Sequence, residues 1–151
     1  MSTPRRSAGT RSGARVRGPR SGGAKIPDAL KLAIEQRILA CAEEHFAGKY
    51  SRIDVRFRGQ FCYVDAYEEP TVSPAWPPAD WDETREQYIE RIRNTPIHLC
   101  RLRYLGRQDE WSWAFYTYSN ERYEPAVFGD GSGMGPPEDA FMVAAGLYLQ
   151  G

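Results

Sequence analysis

Five arginines and four tyrosines recur at alternating positions in two separate stretches: Arg52, Arg56, Arg58, Tyr63 and Tyr67 in the first, Arg101, Arg103, Tyr116 and Tyr118 in the second. With Phe61 among them, these side chains suit recognition, because a guanidinium fork matches carboxylate or phosphate and an aromatic face accepts any planar group. The same residues also cover ordinary solvated sheets, where each Arg/Tyr cross-strand pair stabilises by only ~0.2–1 kcal/mol and implies no ligand.

Three further groups could do chemistry. Asp54 and Asp65 fall opposite one another if the first stretch is a hairpin. Two carboxylates about 5 Å apart would raise one pKa and could form an acid/base couple. Arg52 and Arg56 lie diagonal to them, so a neutralised surface network is the favoured reading. Cys41, His45, Cys62, His98 and Cys100 share core-side parity, and four of them could converge on zinc or provide a Cys/His nucleophile and base. Their spacing is not specific, and core filling by small apolar thiols is the simpler expectation, with no metal or cofactor. The glycine-rich run 129–135 lacks a GxGxxG pattern, a Walker lysine and a nucleophile elbow. Glu138 and Asp139 would repel an anion from the helix that follows, so the run reads as a mobile turn.

These side chains need strands to align them. Arg58-Gly59-Gln60-Phe61 supplies a two-residue hairpin loop with glycine first. Pairing outward sets Phe57 opposite Cys62, Val55 opposite Val64 and Ile53 opposite Ala66 on an apolar face. The other face then carries Arg58 with Phe61, Arg56 with Tyr63, Asp54 with Asp65 and Arg52 with Tyr67. Strands are also expected at 97–105, 111–118 and 123–128. A four-residue loop between the first two would pair Tyr104 with Trp113, Leu102 with Phe115 and Cys100 with Thr117. Arg103 would then face Ala114, Arg101 would face Tyr116, and Leu99 would face Tyr118.

Helical periodicity marks 28–46, with Asp28 as N-cap, a stripe of Leu30, Ile34, Ile38, Cys41, Ala42, His45 and Phe46, and Gly48 as terminator. A polar helix is expected at 82–93 and an apolar one at 137–149. Between the hairpin and the polar helix, 69–82 carries prolines 70, 74, 77 and 78 with Trp76 and Trp81, the composition of an ordered loop pinned to the body. The resulting order α-β-β-α-β-β-β-α predicts an α+β domain: a single antiparallel sheet of about five strands with helices packed on one face.

The chain of 151 residues is neutral overall, yet residues 1–25 hold seven cations and no acid. The remaining 13 basic and 20 acidic residues leave the rest at −7. Rich in Arg, Gly, Ser and Pro, the segment 1–25 reads as a disordered basic tail, either solvated or arising from a misplaced start, ahead of a single domain at 26–151. Three cysteines without CxxC spacing suit reduced thiols in the cytoplasm. No apolar run approaches the ~20 residues of a membrane span, and no signal-type apolar segment follows the basic start.

The phrases RFRGQFCYVDAY at 56–67, LCRLRYLG at 99–106, WAFYTYSNERYEP at 113–125 and PPEDAFMVAAGLYL at 136–149 resemble an uncharacterised family of small bacterial α+β proteins with no established activity. The resemblance spans roughly residues 28–150 and implies the fold, not a reaction.

The expectation for function is therefore a small non-enzymatic binding or accessory protein that docks a protein partner through Arg52, Arg56, Arg58, Tyr63, Tyr67, Arg101, Arg103, Tyr116 and Tyr118, with the Trp76/Trp81 loop as a secondary contact. One alternative is a nucleic-acid-binding protein using the same face and the basic tail. A second is an enzyme with a Cys/His or paired-Asp site. The partner's identity and the oligomeric state are left open.

Overall fold

Gly59, at φ +60°, makes the sharp reversal that a two-residue hairpin loop requires. It joins β1 (Arg52–Arg58) to β2 (Phe61–Tyr67) in the expected register from Arg58↔Phe61 to Arg52↔Tyr67. The computed structural model describes residues 24–149 and places this hairpin at one edge of a five-stranded antiparallel sheet, order β1-β2-β3-β4-β5. The other strands are β3 (Ile97–Arg107), β4 (Glu110–Thr117) and β5 (Arg122–Ala126).

Two local irregularities alter the expected pairing. Opposite β2, Val64 pairs with Cys100 while Asp65 pairs with His98, so Leu99 is an extra residue in a β-bulge. The bulge breaks strict alternation: Leu99 and Cys100 are both buried, and His98, expected on the core side with Cys100, turns to the outer face. Leu99, expected outward opposite Tyr118, is in the core instead.

The β3–β4 register is two residues away from the expected one. Cys100 pairs with Phe115, Leu102 with Trp113 and Tyr104 with Trp111, while Arg101 faces Ala114 and Arg103 faces Ser112. The cause lies within β3: Arg107 pairs with Glu110, in line with the expected register, but two extra residues between Tyr104 and Arg107, Leu105 and Gly106, the latter at φ +106°, shift every pair beyond them. A shift of two preserves side-chain alternation, so the β3 residues beyond the bulge and those of β4 stay on their expected faces.

The core-side residues Cys62, Val64, Leu102, Trp111 and Trp113 pack against α1 (Asp28–Phe46) and α3 (Pro137–Tyr148). Helix α1 contributes Ile34, Ile38 and Ala42, and α3 contributes Ala140, Phe141, Ala144 and Ala145. The helices meet through an edge-on Phe46–Phe141 contact and through Arg37, whose Nε and Nη2 donate to Glu138 at 2.6 and 2.7 Å. Pro27, not Asp28, occupies the N-cap of α1; Asp28 lies in the first turn, paired with Lys31 at 3.0 Å. His45, expected on the buried stripe, is exposed because it lies at the stripe's margin beyond Ala42.

Of the expected basic tail, only Ala24 and Lys25 fall within the described residues. Ala24 N–H donates to Tyr104 C=O at 3.1 Å, and Ile26 N–H donates to Gly59 C=O at 3.0 Å. Ile26 is wholly buried, a contribution of roughly 1.5–3 kcal/mol from its side chain.

Between β2 and β3 the chain makes an excursion, 68–96, in which no residue is buried. Its helix, α2 (Arg85–Arg93), starts three residues later than the sequence pattern suggests, because Thr84 and Gln87 form a reciprocal capping box. The excursion is held by polar contacts: Arg85 donates to the carbonyls of Val72, Ser73 and Trp76, and Arg93 to the Glu69 carboxylate. Trp76 packs on Trp81 and Tyr88, with ring centroids at 4.8 and 5.3 Å. These tryptophans thus brace their own loop and α2, not the sheet, and the layer beneath the sheet is built from α1 and α3.

Candidate functional site

Strand alternation and the register collect the arginines and aromatics on the sheet face opposite α1 and α3. One row across the strands reads Arg58, Phe61, Arg103, Ser112. The next reads Arg56, Tyr63, Arg101, Ala114, Pro125. A third begins Asp54, Asp65, His98, and Tyr116 lies opposite Tyr123. Arg56 and Arg101 therefore flank Tyr63 on one surface. The face reaches solvent, with half of the Arg56 side chain and 47% of Tyr118 exposed.

Each arginine has a distinct environment. The Arg52 guanidinium lies 3.9 Å above the Tyr67 ring. Arg56 stands 5.3 Å from the Tyr63 centroid, while its Nε is 3.4 Å from Asp54 and its Nη2 2.8 Å from Asp65. Arg101 sits between Phe61 at 4.7 Å and Tyr123 at 5.3 Å. Arg103 donates to Gln60 at 2.9 Å. Arg58 is exposed beside the hairpin turn.

Asp65 is the electrostatic centre of the face, its side chain only 4% exposed. Besides Arg56 it binds His98, with Nδ1 at 2.9 Å from Oδ1. Among the described residues no polar partner is recorded on His98 Nε2. The imidazole packs against Tyr116 at 4.8 Å, Tyr118 at 6.4 Å and Tyr123 at 6.5 Å, and its backbone N–H donates to the Tyr118 hydroxyl at 2.8 Å. Burial, aided by the Asp65 charge, raises the Tyr123 phenol pKa strongly, so this hydroxyl stays protonated. Burial likewise raises Tyr118. Tyr118 also reaches the sheet edge, meeting Tyr148 of α3 at 5.7 Å.

Asp54 and Asp65 do lie opposite one another, but Arg56 bridges both, and Arg52, expected to share that task, is stacked on Tyr67 instead. The soft-ligand constellation does not assemble. Cys62 and Cys100 are buried in the core, Cys41 is half-buried on α1, His45 is exposed, and His98 is on the opposite side of the sheet from Cys100. Among the described residues no group of three or more His, Cys, Asp or Glu side chains could hold a metal ion. Burial pushes the Cys100 thiol up to about 12 and Cys62 well above its ordinary value, which keeps both protonated and unreactive. A Cys100/His98 nucleophile and base would need the two side chains on one face, and the bulge at Leu99 separates them.

The glycine-rich turn before α3 is closed by Asp130, whose Oδ1 accepts from Ser132 N–H at 2.9 Å and Oγ–H at 2.6 Å. Its geometry serves the turn: Gly135 pairs with Trp111, and a Cβ there would lie 3.0 Å from the Phe128 ring.

Two members of the face escape sequence reasoning. His98 is hidden by the bulge, for which the sequence carries no signal. Tyr123 could have been found by pairing β4 with β5, where Thr117↔Arg122 sets Tyr116 opposite Tyr123.

The fold and face thus define a two-layer α+β domain with one helix-covered sheet surface and one open arginine and aromatic surface. No family model, no curated protein and no solved structure matches the chain. No helix among the described residues is long and apolar enough to cross a membrane.

Proposed function

We propose that this is a small non-enzymatic binding protein that docks a protein partner through the open face of its sheet. The observation carrying this reading is the unbroken row Arg56–Tyr63–Arg101 with Phe61 and Tyr123 against it, on a surface that neither α1 nor α3 covers. Arginine and tyrosine are the residues most often found as interface anchors, since both offer large, semi-rigid contact area with a polar handle. A bacterial, cytoplasmic setting is part of the proposal, supported by the motif resemblance and by three free thiols.

The test is purification from the native cell with wild-type bait and with Arg58→Ala/Arg101→Ala bait, each with and without nuclease. Among the described residues neither arginine pairs with a carboxylate, so the double variant should fold. Docking through the face predicts a nuclease-resistant partner that the double variant loses. If the variant retains every co-purifying protein, the reading is abandoned.

A second reading, nucleic-acid binding, is favoured by one observation. Ala24, at the end of the basic segment, donates its N–H to the carbonyl of Tyr104, the neighbour of Arg103 in β3. It predicts nuclease-sensitive association and an affinity that falls steeply with salt.

A further inference from the structure

We propose that Arg101 anchors a carboxylate presented by an acidic, aromatic-bearing linear segment of a protein partner; this rests on the docking reading above and names its occupant. The charges on the face are unequally satisfied. Both carboxylates, Asp54 and Asp65, are engaged by Arg56, and Asp65 also by His98. Arg101, in contrast, has ring contacts as its recorded interactions, and Arg52 lies over Tyr67. The uncompensated charge is therefore positive, and its complement is an acidic partner.

Arg101 is also preorganised. The Phe61 and Tyr123 rings lie 4.7 and 5.3 Å from its guanidinium carbon; these cation–π contacts remove part of the rotamer freedom that binding would otherwise cost, and the fork they hold matches a planar, two-oxygen acceptor. Beside it the sheet forms a groove of about 390 Å³ lined by Phe61, Arg103, Ser112, Ala114 and Pro125. Ala114 is the small residue that opens this depression, and an aromatic side chain next to the bound carboxylate would fill it. A long polyanion fits less well. At the Tyr67/Ile97 end of the sheet the chain leaves into the 68–96 excursion, which holds seven acidic and three basic residues and would repel phosphates running that way.

The test is fluorescence anisotropy on the full chain at about 150 mM salt, with fluorescein-labelled (Glu-Tyr)₄ as probe and (Lys-Tyr)₄ and a thymidine dodecanucleotide as comparators. Saturable binding of (Glu-Tyr)₄ alone is expected. Arg101→Gln should weaken it about ten- to a hundredfold, the loss typical of a charge-assisted hydrogen-bonded pair. Arg101→Lys, which keeps charge without the fork, should fall between, and it carries the test if the glutamine variant fails to fold. Arg122→Gln, altering an arginine paired with Glu124, should change nothing. No saturable (Glu-Tyr)₄ binding, equal affinity for wild type and both Arg101 variants, or tighter binding of the oligonucleotide would each overturn the proposal. Absence of peptide binding while Arg58→Ala/Arg101→Ala still strips a co-purifying protein would remove the acidic occupant and leave the docking reading in place.

Discussion

Replacing Asp65 with asparagine probes the electrostatic centre of the face without changing its volume. The carboxylate accepts from Arg56 at 2.8 Å through one oxygen and faces His98 Nδ1 at 2.9 Å through the other. Asparagine has one acceptor oxygen, so its amide N–H₂ must point either at Arg56, donor against donor, or at His98, which then has to accept at Nδ1. Hydrogen bonds to charged groups are worth about 1.5–3 kcal/mol, and the Arg56 side chain is half exposed, which lowers the ionic part by solvent screening. The expected loss is about 1–2 kcal/mol, or a fall in Tm of roughly 3–8 °C for a domain of this size. Urea unfolding followed by tryptophan fluorescence would measure it, since Trp111 and Trp113 are buried. A double-mutant cycle with Arg56→Ala should give a coupling of about 1 kcal/mol. If Asp65→Asn were neutral, or the two changes strictly additive, the assignment of Asp65 as the shared partner of Arg56 and His98 would be refuted.

Four other outcomes follow from the packing. Ellman's reagent should modify Cys41 in the native protein and leave Cys62 and Cys100 protected until unfolding, because burial holds both thiols protonated. With Cys100 raised in the folded state to about 12 from an ordinary 9.0, its contribution is complete below pH 9 and declines as pH rises toward 12, because the unfolded chain gives up that proton first. Cys100→Ala should flatten that part of the stability profile relative to wild type. Ile26→Ala should cost about 2–4 kcal/mol in denaturant titration, as expected for a wholly buried aliphatic side chain. Thr84→Ala removes the α2 capping box, yet this helix buries nothing; faster amide exchange within 85–93 with an unchanged global midpoint is the expected pattern.

The parts of the fold that were legible in the sequence share a physical basis. Gly59 at the tip of a two-residue loop admits few alternatives, so every pair of the β1–β2 hairpin follows from it. The β3–β4 loop carries weaker information. Gly106 absorbs extra residues within the strand, and the register therefore moves by two without disturbing which residues face the helices. Placing Arg101 and Arg103 on the open face required only that parity, whereas naming their neighbours required the register. His98 shows the limit of alternation, because one bulged residue, Leu99, reverses the parity of everything on its N-terminal side and carries His98 from the core to Asp65. The Thr84/Gln87 capping box was available in the sequence as T-x-x-Q and would have corrected the start of α2. The Trp76/Trp81 loop reads as ordered, but its packing partner within the excursion depends on tertiary contacts that composition does not specify.

Hydroxyl-radical footprinting of the chain alone and bound to its co-purified partner is the most direct measurement of the central claim. The account predicts that binding shields Phe61, Tyr63 and Tyr123 while the exposed Leu32 and Leu39 of α1 and Leu147 of α3 label as before. Shielding of those helix residues, with the rings of the sheet face labelled equally in both states, would contradict it.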